Sequence, residues 1–312
     1  MLKGAKLLNG DPIVVEQTRW KYMHVEASSQ AGTMVHLFQH TYPDEPWPWS
    51  SQKKDRTVRP DFCLIRNFPL DSHGDDFKSM VLGLKFGGLG SVNSIDSVYL
   101  SMERAYQYAE LLQVQKRLGD KAFELIPMNY FSNERIKLRV VEKVIPPQYQ
   151  TTYPRVVKVG SAHAGRGKLR AFNESDMTDI EGVLALNTDY FTTEPFLDAA
   201  FEYRIQKIGD HYRCFVRKSD NWKQNVGNLE FEDYEVLPKH KLWADECAKM
   251  MGGLDIMALD VIVTKDGKEY VIEINDTAIG LMYPHDKEDL QHIKELVLLR
   301  MNQHFCPHLL NK

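Results

Sequence analysis

Carboxylate and amide residues near the end of the chain could together hold a divalent cation. Asp260 and Glu273 lie on either side of a turn sequence, Lys-Asp-Gly-Lys at residues 265–268. If its two central residues form a hairpin loop, Asp260 lies directly opposite Glu273, and strand alternation puts Asn275 on the same face. Two opposed carboxylates repel each other, so a cation should compensate them. Magnesium bound beside phosphate takes ligands of this kind.

A cation is not required to account for this acidic pair. A solvated strand face would need no cation, and a lysine or arginine could neutralise the carboxylates in a salt bridge. A three-residue loop would shift the strand register by one and separate Asp260 from Glu273. The cation site is therefore one of several interpretations of this hairpin.

A glycine-rich segment, GSAHAGRGK at residues 160–168, could cradle phosphate. Glycines let backbone amides approach phosphate oxygens, and Arg166 and Lys168 would add cationic donors. The segment lacks the Gly-Lys-Ser or Gly-Lys-Thr ending of a P-loop, so an ordinary flexible turn is an equal alternative. Just before it, Lys158 interrupts an apolar strand pattern, and a buried ammonium group needs an anion, such as a ligand phosphate.

Other polar residues are less informative by themselves. Four basic residues and one asparagine lie between residues 204 and 225. Each alone is more typical of a protein surface than of a binding site. They are Arg204, Lys207, Arg217, Lys223 and Asn225. His163 has no serine or cysteine nucleophile with a matching partner, so we assign no catalytic residue.

The elements that would position these residues fall into two groups. In the first, a strand at residues 61–66, an amphipathic helix at 75–86 and a strand at 91–93 predict a β-α-β unit and a parallel sheet. Residues 40–58, rich in proline and charge, are typical of an exposed connection. We place a first α/β domain at about residues 1–98.

The second group continues towards the end of the chain. Hydrophobic spacing predicts one long helix over residues 96–118. Alternation of polar and apolar residues predicts a hairpin at residues 201–217 and a final hairpin at residues 255–275. Further strands are predicted at residues 155–159 and 190–196, and further helices at residues 176–187 and 289–302.

Composition limits the classes of protein. The chain has 312 residues, 43% of them apolar and 26% charged, which suits roughly two globular domains. A net charge of −4 with both signs mixed along the chain argues against nucleic-acid binding. The four cysteines are far apart in sequence, which favours reduced thiols. No apolar run could span a bilayer and no signal peptide is recognisable, so we expect a soluble cytoplasmic protein.

A series of short motifs runs in order along nearly the whole chain. These motifs are PDFCLIR (60–66), SVNS (91–94), VKVG (157–160), EPFLD (194–198), RIQKIG (204–209), NWK (221–223) and GGLDI (252–256). Together they resemble the central (C) domain of the synapsin family. Each motif alone would be weak, but so many in one order argue against chance similarity.

The resemblance implies an ATP-grasp fold of α/β and α+β type. A pre-ATP-grasp α/β domain at residues 1–98, expected to lack the family's first strand, would precede a two-lobed ATP-grasp domain at residues 99–312. By position, Lys158 would contact phosphate or adenine, residues 165–168 would close over the triphosphate, and residues 194–197 would form the adenine hinge. The expected nucleotide residues are Arg104, Lys158, His163, Gly165, Arg166, Gly167, Lys168, Glu194, Phe196, Leu197, Arg217, Lys223 and Asn225. The expected ligands of Mg²⁺ or Ca²⁺ are Asp260, Glu273 and Asn275.

The resemblance also implies a function. It indicates an ATP-binding, metal-regulated protein that is peripheral on a vesicle or membrane surface, forms a homo-oligomer and takes part in neurotransmitter secretion from synaptic vesicles. Two positions depart from the family. Arg104 replaces a lysine, keeping its charge but not its geometry. Asn275 completes Glu273-Ile274-Asn275, the metal signature of catalytic ATP-grasp enzymes, whereas synapsins keep the glutamate and lack the asparagine. The alternative is therefore an ATP-dependent carboxylate-amine or carboxylate-thiol ligase, and fold alone does not decide between the two.

Overall fold

A small antiparallel sheet covered by a helix forms the first part of the chain. The computed structural model describes residues 1–39, 54–70, 75–132, 145–162, 166–219 and 229–310. Strands β1 (Met23–Ser28), β2 (Gly32–Leu37) and β3 (Arg56–Val58) pair in that order. Alternation along β2 buries Val35 and Leu37 with Val81 and Leu84 of helix α1 (Lys78–Phe86). The predicted connection over residues 40–58 is wrong at its end, where β3 lies, and residues 40–53 lie outside the described residues.

A β-α-β unit follows, as predicted. Strands β4 (Phe62–Cys63) and β5 (Gly90–Ser91) pair in parallel on either side of α1 in the chain. The predicted single helix over residues 96–118 is wrong, because α2 (Ile95–Leu100) and α3 (Arg104–Leu118) are separate helices. At the break, Gln107 donates its side-chain amide to the carbonyl of Ser101 at 2.5 Å. The apolar spacing continues through the break, so periodicity could not reveal it.

Two larger antiparallel sheets make up most of the remaining chain. The strands of the smaller one are β6 (Asn129–Phe131), β7 (Arg155–Val159), β8 (Lys168–Ala171) and β9 (Phe191–Pro195). Their spatial order is β6-β9-β7-β8. Helix α4 (Glu174–Leu184), whose first turn is capped by the Asn173 side chain, buries Met177 and Ile180 with Val157 and Phe191.

The other sheet is the scaffold of the acidic hairpin. Its strands are β10 (Ala199–Ile208), β11 (His211–Ser219), β12 (Leu229–Tyr234), β13 (Ile256–Thr264) and β14 (Glu269–Asn275), in the order β12-β11-β10-β13-β14. Tyr203 is buried with Trp243 of α5 (Pro238–Cys247) on one face. Alternation turns Arg204 to the other face. Helix α6 (Asp286–Phe305) covers one end of that face, where Ile208 packs with Leu296.

The two predicted hairpins are also confirmed. The hairpins predicted at residues 201–217 and 255–275 are β10–β11 and β13–β14. All four cysteines are free. Among the residues that the structure describes, no helix is both long and apolar enough to cross a lipid bilayer.

Candidate nucleotide site

The β13–β14 hairpin brings the two predicted carboxylates together through a loop length and a β-bulge that the sequence did not predict. Thr264 donates its amide to the carbonyl of Lys268 at 2.9 Å, so the loop has three residues and the register next to it is shifted by one. A β-bulge at Ile272 inserts one extra residue into β14 and shifts the register back. Asp260 therefore does lie directly opposite Glu273, as predicted, although the predicted two-residue loop is wrong.

Asp260 is fully buried and neutralised by arginine. Arg204, its cross-strand partner on β10, donates from Nε and Nη2 to the two carboxylate oxygens at 2.6 and 2.7 Å. Arg217 Nη2 lies 3.3 Å from Asp260 Oδ1, and the Asn275 side-chain amide donates to Oδ2 at 3.1 Å. The salt bridge that the sequence left open as an alternative is thus present, and a cation at Asp260 would have to displace some of these donors.

Glu273 faces a group of positive charges. Arg104 donates from Nη1 to Glu273 Oε2 at 3.0 Å. Burial raises the pKa of Glu273, but Lys168, Arg104 and Lys158 outweigh it and hold the pKa below its usual range. The Glu273 side chain is 20% exposed whereas that of Asp260 is inaccessible, so Glu273 is the carboxylate that an incoming cation can reach first.

Lys158 and Glu194 form a buried ion pair on neighbouring strands of the smaller sheet. Burial and the nearby charge of Arg104 lower the pKa of Lys158 to about 7. Burial raises the pKa of Glu194, but Lys158 and Arg104 together hold it below its usual value. The anion that a buried lysine requires is therefore supplied here by a protein carboxylate.

Arg104 connects the two larger sheets. It is the first residue of α3, and its Nη2 lies 3.5 Å from Glu194 on one sheet while Nη1 contacts Glu273 on the other. Its Nε and Nη2 atoms are buried and have no hydrogen-bond partner among the described residues, and the same holds for Nε of Arg217. Buried donors without partners are unfavourable. A bound anion with several oxygens would satisfy them.

The glycine-rich segment links β7 to β8 beside this group. Val159 donates its amide to the carbonyl of Gly167 at 2.9 Å, and Gly167 has a φ of +66°, which favours glycine. A Cβ atom on Gly167 would lie only 3.0 Å from the Val159 carbonyl oxygen. Lys168, which starts β8, is half-buried, and Arg166 is exposed. The segment thus presents its two cationic residues in different environments.

One backbone amide of the predicted adenine hinge already has a hydrogen-bond partner within the protein. Phe196 donates its backbone amide to the carbonyl of Pro154 at 2.9 Å, so this amide is not free for adenine. Leu197 is half-buried next to it. Four predicted nucleotide residues lie outside the described part of the chain, namely His163, Gly165, Lys223 and Asn225.

Two residues of the site have no assigned role in the sequence interpretation. Arg204 is grouped there with scattered basic residues and Glu202 is not singled out, yet both lie on the same face of β10. Burial raises the pKa of Glu202 to about 7, although Arg217, 3.3 Å away, opposes this. Strand alternation could have placed both residues on one face. The pairing of β10 with β13, which brings Arg204 to Asp260, has no signal in the sequence.

The arrangement of two antiparallel sheets joined through Arg104 is that of an ATP-grasp protein, preceded by a smaller α/β unit. The structure is similar to D-alanyl-alanine synthetase A from Vibrio cholerae, with a TM-score of 0.59, 12% identity and coverage of 90% of this chain and 87% of that one. It is also similar to a RimK domain ATP-grasp protein from Sphaerobacter thermophilus, with a TM-score of 0.55, 13% identity and coverage of 78% and 82%. At this identity the similarity shows the fold alone.

Sequence comparison gives the family. Residues 93–303 match the family described as "Synapsin, ATP binding domain", and residues 1–91 match "Synapsin pre-ATP-grasp domain". Over 310 residues, 97% of this chain, the identity to Synapsin of Drosophila melanogaster is 36%. The chain belongs to the synapsin family, which confirms the resemblance and the fold class inferred from the sequence. It spans 28% of the length of that relative.

Proposed function

We propose that the chain binds ATP between its two larger sheets, together with a divalent cation at the β13–β14 hairpin. The observation that carries this proposal is the set of buried guanidinium donors of Arg104 and Arg217 that no described residue satisfies. A triphosphate would supply the oxygens that these donors lack. The match of residues 93–303 to a synapsin ATP binding domain supports the same ligand.

The proposed phosphate contacts come from the glycine-rich segment and the basic residues around it. Residues 165–168 close over the triphosphate, and Lys158 exchanges Glu194 for a phosphate oxygen. The side chains proposed to contact phosphate are Arg104, Lys158, His163, Arg166, Lys168, Arg217, Lys223 and Asn225. Adenine lies against the segment after β9, where Leu197 supplies the backbone amide, because that of Phe196 is bound to Pro154.

Asp260, Glu273 and Asn275 fit the proposed Mg²⁺ or Ca²⁺ by their chemistry, two carboxylates and one amide oxygen. Two changes are needed for the cation to bind. The Asn275 amide, whose nitrogen faces Asp260, has to rotate to present its oxygen, and Asp260 has to release part of its contact with Arg204. A triphosphate would attract the arginine, so we expect the cation and the nucleotide to bind much more tightly together than separately.

Isothermal titration of ATP, with magnesium and with a chelator, tests this proposal. Without the cation, a triphosphate and two carboxylates would share one site, so chelation should weaken ATP binding by more than about tenfold. Asp260→Asn should have the same effect in the presence of magnesium. Asp266→Asn, on the exposed loop of the same hairpin, is the matched control and should change nothing.

Two outcomes would count against the proposal, and they differ. If chelation and Asp260→Asn leave ATP affinity unchanged, the cation site is wrong and the hairpin is only an arginine-paired strand. If ATP does not bind under any condition, the nucleotide site itself is wrong.

Family membership supports a wider role for the whole protein. In this role the chain is a peripheral binding protein on vesicle or membrane surfaces, and its ATP site sets its conformation or its homo-oligomeric state. Sedimentation velocity with and without Mg-ATP, and co-sedimentation with anionic lipid vesicles, measure both properties. A monomer under all conditions that never sediments with vesicles would contradict this role while leaving ATP binding intact.

A ligase is the second candidate, and one observation favours it. Asn275 lies on the same strand face as Glu273 and within hydrogen-bond distance of Asp260, so all three potential metal ligands converge. A ligase would use ATP to convert a carboxylate into an acyl phosphate and would then transfer the acyl group to an amine or thiol, releasing phosphate. Such an enzyme needs the metal ligands to act during phosphoryl transfer as well as in binding.

A further inference from the structure

Two histidines and a glutamate meet at the opposite end of the larger sheet. His211 is the first residue of β11, and His292 and Glu295 lie on α6. One potential ligand atom of each residue lies within 4.8 Å of the other two. The two imidazole rings are stacked, with centroids 3.5 Å apart and planes inclined by 15°.

The backbone around these residues is fixed by packing. Gly209, in the turn before His211, donates its amide to the carbonyl of Asp255 at 2.8 Å and lies against Leu296 of α6. His292 and Glu295 are three residues apart on the helix and therefore share one face. The hairpin tip and the helix thus fix the backbone of the three residues without a ligand. Of the three side chains, that of Glu295 accepts a hydrogen bond from Gln291 Nε2 at 2.7 Å.

His292 lacks a partner for one ring nitrogen. Its Nδ1 atom is buried and has no hydrogen-bond partner among the described residues, and its Nε2 atom lies 3.8 Å from Glu288 Oε1, beyond hydrogen-bond distance. A buried polar atom in a native structure normally has a partner. One ring nitrogen of His292 lies within 4.8 Å of a ligand atom of His211 and of Glu295, an arrangement that points to a shared cation.

Open space adjoins the two histidines. His211 and His292, but not Glu295, line a cavity of about 160 Å³ together with residues that include Gln206, Ile208, Arg213 and Asp289. This volume holds an ion and several waters. The positive charge of Arg213 does not exclude a cation, because Arg213 is paired with Glu288 and Asp289 at 2.9 and 3.1 Å.

We propose that His211, His292 and Glu295 bind a transition-metal ion of the zinc class, with water in the remaining position. Two imidazoles and one carboxylate suit zinc and neighbouring first-row metals, whereas the nucleotide hairpin offers only the oxygen ligands that magnesium and calcium prefer. Metal–ligand bonds of about 2.0 to 2.2 Å require the three atoms to draw closer together. The two rings also have to turn out of their stacked arrangement, because the lone pairs of parallel imidazoles do not point at one ion. The side chains have room to turn, since all three residues are at least partly exposed.

The ion would fasten the β10–β11 turn to α6. This site is independent of the proposed ATP function, since none of its three ligands belongs to the nucleotide cluster. Imidazole binds metal only in its neutral form, so the affinity should fall as the solution is made acidic.

Titration of the metal-free protein with zinc chloride, without nucleotide, tests the proposal. We expect saturable binding of one ion per chain, visible d–d absorption with Co²⁺ as the substitute metal, and a rise in the thermal unfolding temperature that a chelator reverses. His211→Ala and His292→Ala should each weaken binding by more than about tenfold. Glu295→Gln, at an exposed position that does not threaten folding, should weaken it in the same direction.

A neighbouring histidine provides the control. His285 precedes α6 and contacts Asp233 at 2.9 Å, outside the three-residue cluster. His285→Ala should leave zinc affinity within about twofold of the wild-type value. The proposal is overturned if the wild-type chain shows no saturable binding, or if the variants of all three ligands, folded by circular dichroism, keep the wild-type affinity.

Discussion

Lys158 is held by Glu194 in a way that leaves it available to a ligand. A buried ion pair contributes little net stability, because the loss of hydration offsets much of the attraction between the charges. Glu194 also lies 3.5 Å from Arg104, so it keeps a second positive neighbour if Lys158 turns to a phosphate. Exchange of partners within this cluster is therefore compatible with the fold.

We expect Lys158→Met to weaken ATP binding by about 1.5 to 3 kcal/mol, the value of a charge-assisted hydrogen bond. Isothermal titration measures the loss. The matched control is Lys207→Met: Lys207 is also buried and paired with a carboxylate, Asp245, at 2.8 Å, but it lies on the other face of β10. Lys158→Met alone leaves the buried Glu194 carboxylate without its lysine partner, which could destabilise the fold. The double variant Lys158→Met/Glu194→Gln removes that charge as well and so separates the effect on ATP binding from the effect on stability. Normal ATP affinity in that double variant would show that the ion pair is only structural.

Glu202 should make stability depend on pH. Its pKa of about 7 in the folded chain is above its ordinary value of 4.5, so the folded state binds this proton more tightly than the unfolded state does. The resulting stabilisation is complete below pH 4.5 and is lost as the pH rises through about 7. The difference in unfolding free energy between the wild type and Glu202→Gln should therefore fall by about 2 kcal/mol from pH ~5 to pH ~8. Denaturant unfolding at several pH values measures it, and a constant difference would contradict the assignment.

At the scale of single residues, the sequence indicates the chemistry but not the partners. A lysine within an apolar strand and two carboxylates around a turn are visible as patterns, and both lie in the candidate site. The contacts of Arg204 with Asp260 depend on a pairing between strands that are about fifty residues apart in the chain. No local pattern contains that pairing.

Among the elements, β10 and β13 are joined by the Arg204–Asp260 pair at the centre of the sheet. Removal of Arg204 would leave Asp260 buried with only Arg217 as a charged partner, at 3.3 Å. We expect Arg204→Leu to lower the free energy of unfolding by about 3 kcal/mol, as for a broken buried pair. Mg-ATP should recover part of this loss, because a cation bound to Asp260 would replace the arginine charge.

Thermal unfolding with and without Mg-ATP measures both effects. Lys218→Leu is the control, since Lys218 forms a cross-strand pair with Glu232 in which both side chains are more than half exposed. It should change stability by no more than about 1 kcal/mol and should respond to Mg-ATP as the wild type does. Equal losses in the two variants would show that the Arg204–Asp260 pair has no special role.

The β13–β14 hairpin shows how far element-level prediction can reach. The turn sequence correctly indicates a hairpin, but Gly267, with a φ of +80°, ends a three-residue loop instead of a two-residue one. A three-residue loop by itself would shift the register by one and separate Asp260 from Glu273. The bulge at Ile272 reverses it, and at the bulge Val271 donates its amide to Glu124, outside the hairpin, at 2.9 Å. The compensating bulge thus coincides with a tertiary contact that local sequence does not encode.

At the scale of the whole molecule, the first part of the chain is hydrogen-bonded to the loop that follows β14. Arg66 donates to the carbonyl of Ile279 at 2.8 Å and also to that of Thr277, whose hydroxyl donates to Ile65 at 2.7 Å. Asn93 exchanges two hydrogen bonds of 2.8 Å with the backbone of Ile256 at the start of β13. Both strands of the acidic hairpin are therefore anchored to the preceding unit. Sequence patterns predicted that unit's β-α-β core but not this contact, nor the sheet of β1 to β3.

Asn275 ends β14, directly before this anchored loop, and its substitution is the test by which we propose to distinguish a binding protein from an enzyme. If the leading proposal is right, ATP is held without being consumed, and phosphate release stays at background with every carboxylate and amine or thiol pair in a substrate screen. Asn275→Val should then change ATP affinity by only a few fold, because it removes one ligand of a site that keeps both carboxylates.

If the chain is a ligase, the same substitution should abolish phosphate release while ATP affinity again changes little. The reason is that an interaction made mainly in the transition state affects rate more than binding. Phosphate release above background in the wild type that disappears in Asn275→Val would therefore reverse the order of the two candidates, whereas release that persists in the variant would come from a contaminating ATPase.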